Sequence, residues 1–245
     1  MSSFLLATLY APLASWGDIA VGEVRDSWEF PSRSAILGWL AGALGIERED
    51  HAHHDALDRG VGVAVRADVT GSAMVDYHTV QTVAAKAIKK HKPATRRALL
   101  AAAPPETMVT RRTLRCECLY TVAVWRTGSA GWTLEELAQA LRFPAFTPYA
   151  GRKANPFALP FNPQVLEAAS LAAAFRARQE PHGLDGRVRD RTRSAVHVVH
   201  DACEGFESQL TPLRQVQRRD ASPHRGRWQF AERTMYVGVL EEEAG

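Results

Sequence analysis

Cysteine is scarce, with three in 245 residues, and two of them, Cys116 and Cys118, stand too close together for an easy bridge within a strand. A reduced, cytoplasmic protein without disulfides is expected. The opening stretch, MSSFLLATLYAPLASWGD, has no basic flank, and Pro12 and Gly17 break its apolar run. It therefore predicts neither a signal peptide nor a membrane span. Metal-ligand spacing is also wanting. His51, His53 and His54 crowd one acid-rich segment, but no cysteine follows at ligand distance. That segment, Glu47 to Asp58, reads as a solvated loop, and no metal or cofactor is expected. Internal repeats and low-complexity tracts are missing too.

Acids are nearly absent from one stretch. Lys86 to Arg115, KAIKKHKPATRRALLAAAPPETMVTRRTLR, sets nine Lys/Arg against the single acid Glu106, a formal +8. The whole chain carries only +3, so the remainder stands at −5. Positive charge confined to one segment of a mildly acidic body predicts a localised polyanion contact. Pro93, Pro104 and Pro105 rule out one long helix, and no acids are placed for i,i+4 pairing. The segment reads as a binding arm, a long hairpin or helical projection.

Around the arm the order of elements is legible. Phe4 to Tyr10 predicts a buried strand ended by Ala11-Pro12. Ser32-Arg33-Ser34, with a serine to cap the free N–H groups, opens a helix carrying Ile36, Leu37, Leu40 and Leu44, and Gly45 stops it. Gly38 and Gly42 on that helix predict close approach to a neighbouring sheet. Val61 to Val69 is a second strand. Asp76-Tyr77-His78-Thr79 lies at the base of the arm, in an extended pattern continued by Val80 and Val83. Arg115 to Trp125 is the clearest strand, with Cys118, Tyr120, Val122 and Val124 on one face and Leu119, Thr121, Ala123 and Trp125 on the other. Thr133 and Glu136 form a capping box before Leu134, Leu137 and Leu141. Gly151-Arg152-Lys153 predicts a tight cationic turn suited to phosphate. Ala172 to Arg193, with Gly183 and Gly186, reads as a mobile surface connection. Val196 to His200 and Trp228 to Leu240 are the last strands. The basic stretch between them carries Arg214, Arg218, Arg219, Arg225 and Arg227. The sequence thus predicts an α+β fold, a ferredoxin-like or RRM-type sandwich with an inserted basic thumb (86–115) in a body of 1–85 and 116–245, β-rich at its C-terminal end.

Several segments, in order along nearly the whole chain, carry a resemblance. They are Trp16-Gly17, Phe30-Pro31-Ser32-Arg33-Ser34 with Leu37-Gly38, and Ala43-Leu44-Gly45-Ile46. Further on come Asp76-Tyr77-His78-Thr79-Val80, Thr121-Val122-Ala123-Val124-Trp125, and Thr147-Pro148-Tyr149 with Gly151-Arg152-Lys153. The last are Arg219-Asp220, Gln229-Phe230-Ala231, Arg233 and Tyr236-Val237. Together they resemble the fifth Cas family in its subtype I-E form, subunits of the CRISPR surveillance complex Cascade. The resemblance implies a ferredoxin-like body with a thumb, capping one end of the complex and holding the 5′ handle of the guide RNA. It implies as partners that RNA, the backbone subunit and the large PAM-reading subunit, with target DNA contacted only indirectly and no membrane. Asn155 stands where the family pattern leads one to expect cysteine, and Met235 where it leads one to expect tryptophan.

For handle contacts the candidates are Arg25, Arg33, Arg111, Arg112, Arg152, Lys153 and Arg233, since guanidinium forks suit phosphates and flat faces suit bases. Tyr77, Tyr149 and Trp16 are candidates for stacking, and His78 for contact. Arg33 has the added promise of a helix start with unsatisfied N–H groups. The competing reading is a metal-independent endoribonuclease using Tyr77-His78 beside Lys86. A third is an adaptor whose arm docks on an acidic protein.

Overall fold

The computed structural model describes residues 1–18, 20, 22–128, 131–178, 195–224 and 229–241. Its first part runs β1 (Ser2–Ala14), β2 (Trp16–Gly17), β3 (Val24–Arg25), β4 (Ser27–Trp28), α1 (Arg33–Leu44), α2 (His51–Gly60), β5 (Val61–Val69) and β6 (Ser72–Thr82). Next come α3 (Ala85–His91), α4 (Arg96–Ala102), β7 (Glu106–Arg126), α5 (Leu134–Arg142), β8 (Gln164–Ala168) and α6 (Leu171–Ala177). The chain closes with β9 (Ala195–His200), β10 (Thr211–His224) and β11 (Gln229–Glu241). Among the described residues one large sheet of nine strands has the order β10-β11-β9-β5-β7-β1-β8, antiparallel along that whole path, while β6 and β3 pair with β7.

β7 is its spine. Residues 118–125 lie between β1 and β5, with Tyr120 opposite both Leu9 and Ala67. Both faces are covered there, which is why that run is apolar apart from Thr121. Cys118, Tyr120, Val122 and Val124 enter the larger core with Ile36 and Leu40 of α1 and Leu137 and Leu141 of α5. Ala123 and Trp125 face the other way, into a smaller core with Phe4, Leu171 and Phe175. Trp125 needs room: a Cβ at Gly62 would stand 2.2 Å from its indole.

Caps follow the sequence. The Ser32 hydroxyl accepts from Ala35 N, Gly45 ends α1 at φ 75°, and the Thr133–Glu136 capping box is complete. Four expectations fail. β1 runs through Pro12 to Ala14, because β8 pairs only with residues 2–6 and the missing Pro12 N–H faces that open side. The 47–58 segment is mostly helix: the Asp50 side chain caps α2 by accepting from His53 N, and His54 and Leu57 are buried. A histidine on the buried face hid the periodicity. A Cβ at Gly38 or Gly42 would meet nothing within 4 Å, so close approach does not explain these glycines. Finally α6, expected as a surface connection, buries Leu171, Ala172, Ala174 and Phe175. The rest of that expectation, 179–194 with Gly183 and Gly186, lies outside the described residues.

Candidate nucleic-acid interface

β7 leaves the body at its N-terminal end. Residues 106–115 extend roughly 33 Å as strand and pair with the whole of β6, from Ser72 opposite Cys116 to Thr82 opposite Glu106. Nearly every β6 residue is exposed, and α4 has no buried residue. The arm is thus a two-stranded ribbon capped by two short helices, and Asp76 to Thr79 belong to the ribbon itself.

Register sets its chemistry, since residues directly opposite share a face. β3 lies along the other edge of β7, pairing Val24 with Arg111 and Arg25 with Arg112. β6 brings Tyr77 opposite Arg111 and Asp76 opposite Arg112. One row across the ribbon is therefore Arg25, Arg112 and Asp76, and the next, on the opposite face, is Val24, Arg111 and Tyr77. The Arg111 guanidinium sits 5.4 Å from the centre of the Tyr77 ring, which is 62% exposed. Arg25 Nη1 donates to the carbonyls of Gly22 and Val24. Arg152, in the 149–153 turn, is near enough for that row's charges to act on it: burial, then the Arg112 charge, lower its pKa, and Asp76 opposes them. That turn needs glycine. Gly151 has φ 82°, and a Cβ there would meet Ser15 O at 1.9 Å.

Tyr149, 42% exposed, and the exposed Lys153 flank the same turn. His78 stands opposite Thr110 on the ribbon. Trp16 is elsewhere: it is buried, donates from Nε1 to the Tyr120 hydroxyl at 3.1 Å and packs edge-on against that ring. Packing, not stacking on a base, is its role.

Arg33 and Arg233 have their forks engaged inside the body. Arg33 Nε donates to Asp201 Oδ2 at 2.9 Å, and its two terminal nitrogens reach Asp58 and the Val61 carbonyl. Burial works against its charge, but Asp201 and Asp58 outweigh it and hold its pKa above the ordinary value. Arg233 bridges Asp201 and Asp220, each at 2.7 Å. The N-terminus of α1 is taken as well, because Arg33 N donates to Asp220 Oδ2. These charges tie α1 to β10 and β11. Sequence reasoning missed β10 for this reason: Arg218 and Asp220 occupy its buried positions, leaving no apolar alternation. The Arg218 guanidinium lies 3.3 Å from the centre of the Trp28 ring. Arg225 and Arg227 lie outside the described residues.

Over β1 and β5 the sheet face opposite α1 and α5 is filled by side chains. Arg178 donates to Leu6 O, Thr8 Oγ1 and Asn162 O, and burial lowers its pKa to about 10. Arg66 pairs with Asp68 at 2.6 Å beside it, and Thr121 donates to Asp68. Further along the same face, partly exposed His200 and Tyr236 stack with ring centres 5.5 Å apart.

The three histidines are dispersed: His53 Nδ1 lies 2.6 Å from Asp50, His54 Nε2 3.2 Å from Glu47 O, and His51 is exposed. Asn155 is buried, its carbonyl accepting from Ala150 N and its side-chain Nδ2 donating to the Ala150 carbonyl, and Met235 is buried in the larger core. No helix among the described residues is long and apolar enough to cross a membrane.

Fold and surface define a mixed α/β protein whose large antiparallel sheet carries a cation-lined ribbon. The chain belongs to the Cas5 family: the family described as CRISPR-associated protein (Cas_Cas5) matches residues 4–236. It is 34% identical over 195 residues to the CRISPR system Cascade subunit CasD of Escherichia coli (strain K12), covering 76% of this chain and 80% of the relative. Among solved structures it resembles a chain of a CRISPR RNA-guided surveillance complex, with a TM-score of 0.60 and 25% identity over 98% of this chain and 90% of the other. A second, titled as the crystal structure of a Cas protein, shares the fold at a TM-score of 0.55 and 22% identity, over 98% and 95%.

Proposed function

We propose that this protein is a non-catalytic, guide-RNA-binding subunit of a type I-E CRISPR Cascade complex. In that role it holds the 5′ handle of the guide and contacts the backbone and large PAM-reading subunits. Family membership and the Cascade relative support the setting. The observation that carries the RNA role is the row of Arg25 and Arg112 with Arg152 beside it, three cations from three separate segments gathered at one edge of an exposed ribbon. Such a row follows a sugar-phosphate backbone, and Tyr77 under Arg111 offers a ring for an unstacked base. Arg111, Lys153, Tyr149 and His78 extend the surface. Arg33 and Arg233 support it from within.

The body supports a ferredoxin-like reading. β1, β5, β7 and β8 stand in the order β5-β7-β1-β8, with α1 and α5 in the two connections. The thumb we assign to the ribbon and its helices, somewhat more than 86–115. Cleavage is the less favoured reading, because the family match and the Cascade relative point to a subunit of the complex. Three free thiols fit a reduced, cytoplasmic setting.

Reversing Arg111 and Arg112 to glutamate together is expected to weaken guide retention at least tenfold, by about 1.4 kcal/mol or more. Replacing His51, His53 and His54 with alanine is expected to leave it unchanged. Equal losses in a filter-binding titration place the RNA elsewhere. Binding to single-stranded RNA is expected to fall with salt at roughly −0.7 in log–log slope per phosphate contact. A flat salt response points to a protein-docking arm.

A further inference from the structure

One group in the cationic row has the wrong sign for phosphate. Asp76 lies directly opposite Arg112, in line with Arg25, and its charge is felt at Arg152. Neighbouring acids are occupied: Asp26 accepts from the Thr113 hydroxyl at 2.8 Å, and Glu29 stands 3.7 Å from Arg115. Asp76, by contrast, is exposed and takes no hydrogen bond or ion pair of 4 Å or less from any described side chain. An exposed carboxylate among phosphate-binding cations repels the backbone they attract, so its use must lie with another part of the ligand. Nucleobases supply N–H donors on their edges, and a carboxylate has only acceptors. Guanine alone presents two adjacent donors, N1–H and N2–H, spaced to meet both carboxylate oxygens. Uracil presents one N–H between two carbonyl oxygens, which a carboxylate repels.

Resting on the RNA reading above, we infer that Asp76 reads a base: its carboxylate accepts the N1–H and N2–H of an unpaired guanine while Arg25, Arg112 and Arg152 hold the flanking phosphates. Asp76 thereby exchanges some affinity for selectivity. The test uses the full-length chain and three octaribonucleotides: all uridine, uridine with one central guanosine, and uridine with one central inosine, which keeps N1–H but lacks the 2-amino group. The expected order is guanosine, inosine, uridine, with guanosine roughly fivefold or more above uridine. Asp76→Asn is expected to tighten all-uridine binding, because a repulsive charge is removed, and to cut the guanosine advantage below twofold. If the variant tightens all three octamers alike and keeps the wild-type preference, Asp76 is only a repulsive charge and this inference fails while the RNA reading stands. A wild type that binds the three octamers equally has the same meaning. Binding to none of them overturns both.

Discussion

Asp201 accepts from three directions: Arg33 Nε, Arg233 Nη1 and the backbone N–H of Val63, all at 3.0 Å or less. Its carboxylate joins the start of α1, strand β5 and hairpin strand β11. Removing it leaves two guanidinium groups, each less than a fifth exposed, with one carboxylate fewer between them. Breaking a largely buried pair costs about 3–5 kcal/mol. Solvent access places Asp201→Ala at about 3 kcal/mol, or roughly 6–12 °C in melting temperature for a chain of this size. Arg112→Ala, on the half-exposed ribbon, is expected to shift melting by less than about 2 °C while lowering RNA affinity. Thermal unfolding beside filter binding separates the two classes of arginine. A reversed pattern would mean that the ionic lattice binds RNA and the ribbon is structural.

Among the elements, α5 shows how a local signal and a tertiary contact coincide. Glu136 N donates to Thr133 Oγ1 at 3.1 Å while Thr133 N donates to Glu136 Oε2 at 2.8 Å. Leu134, Leu137 and Leu141 then pack into the larger core. Thr133→Ala is expected to cost about 1 kcal/mol, read as a lower midpoint in urea with an unchanged slope. The arm's helices are the opposite case. α3 and α4 are seven residues each, below the length at which an isolated helix holds in water. They lean on the ribbon through such contacts as Arg96 to the Gln81 carbonyl at 2.7 Å. α2 and β10 went unread because the residues on their buried faces include His54, Arg218 and Asp220, which do not announce a core.

At the scale of the whole molecule, the core and the tip of the arm are segregated. No residue from 93 to 104 is buried. Replacing 93–104 with a short Gly-Ser linker is expected to keep the body folded, its melting within about 3 °C of the parent, because no buried apolar contact is lost. The altered chain is expected to fail to join the other Cascade subunits on native gels. Normal assembly would show that the tip contacts nothing essential. β7 couples the two regions: its 21 residues are anchored at one end between β1 and β5, so the exposed end starts from a fixed base.

By itself, the sequence determined whatever depends on near neighbours: the caps at Ser32 and Thr133, the two-faced apolar run of β7, the tight turn at Gly151, and the gathering of nine cations between Lys86 and Arg115. Each is set by residues a few positions apart, within reach of backbone hydrogen bonds and side-chain periodicity. Only the tertiary structure decided which cations face outward. Arg33 and Arg112 are both arginines beside polar neighbours, yet one donates to Asp201 across 168 positions while the other only stands opposite Asp76 on an exposed ribbon. Strand register and long-range carboxylate placement settle that difference, and neither leaves a trace in the composition of a local window.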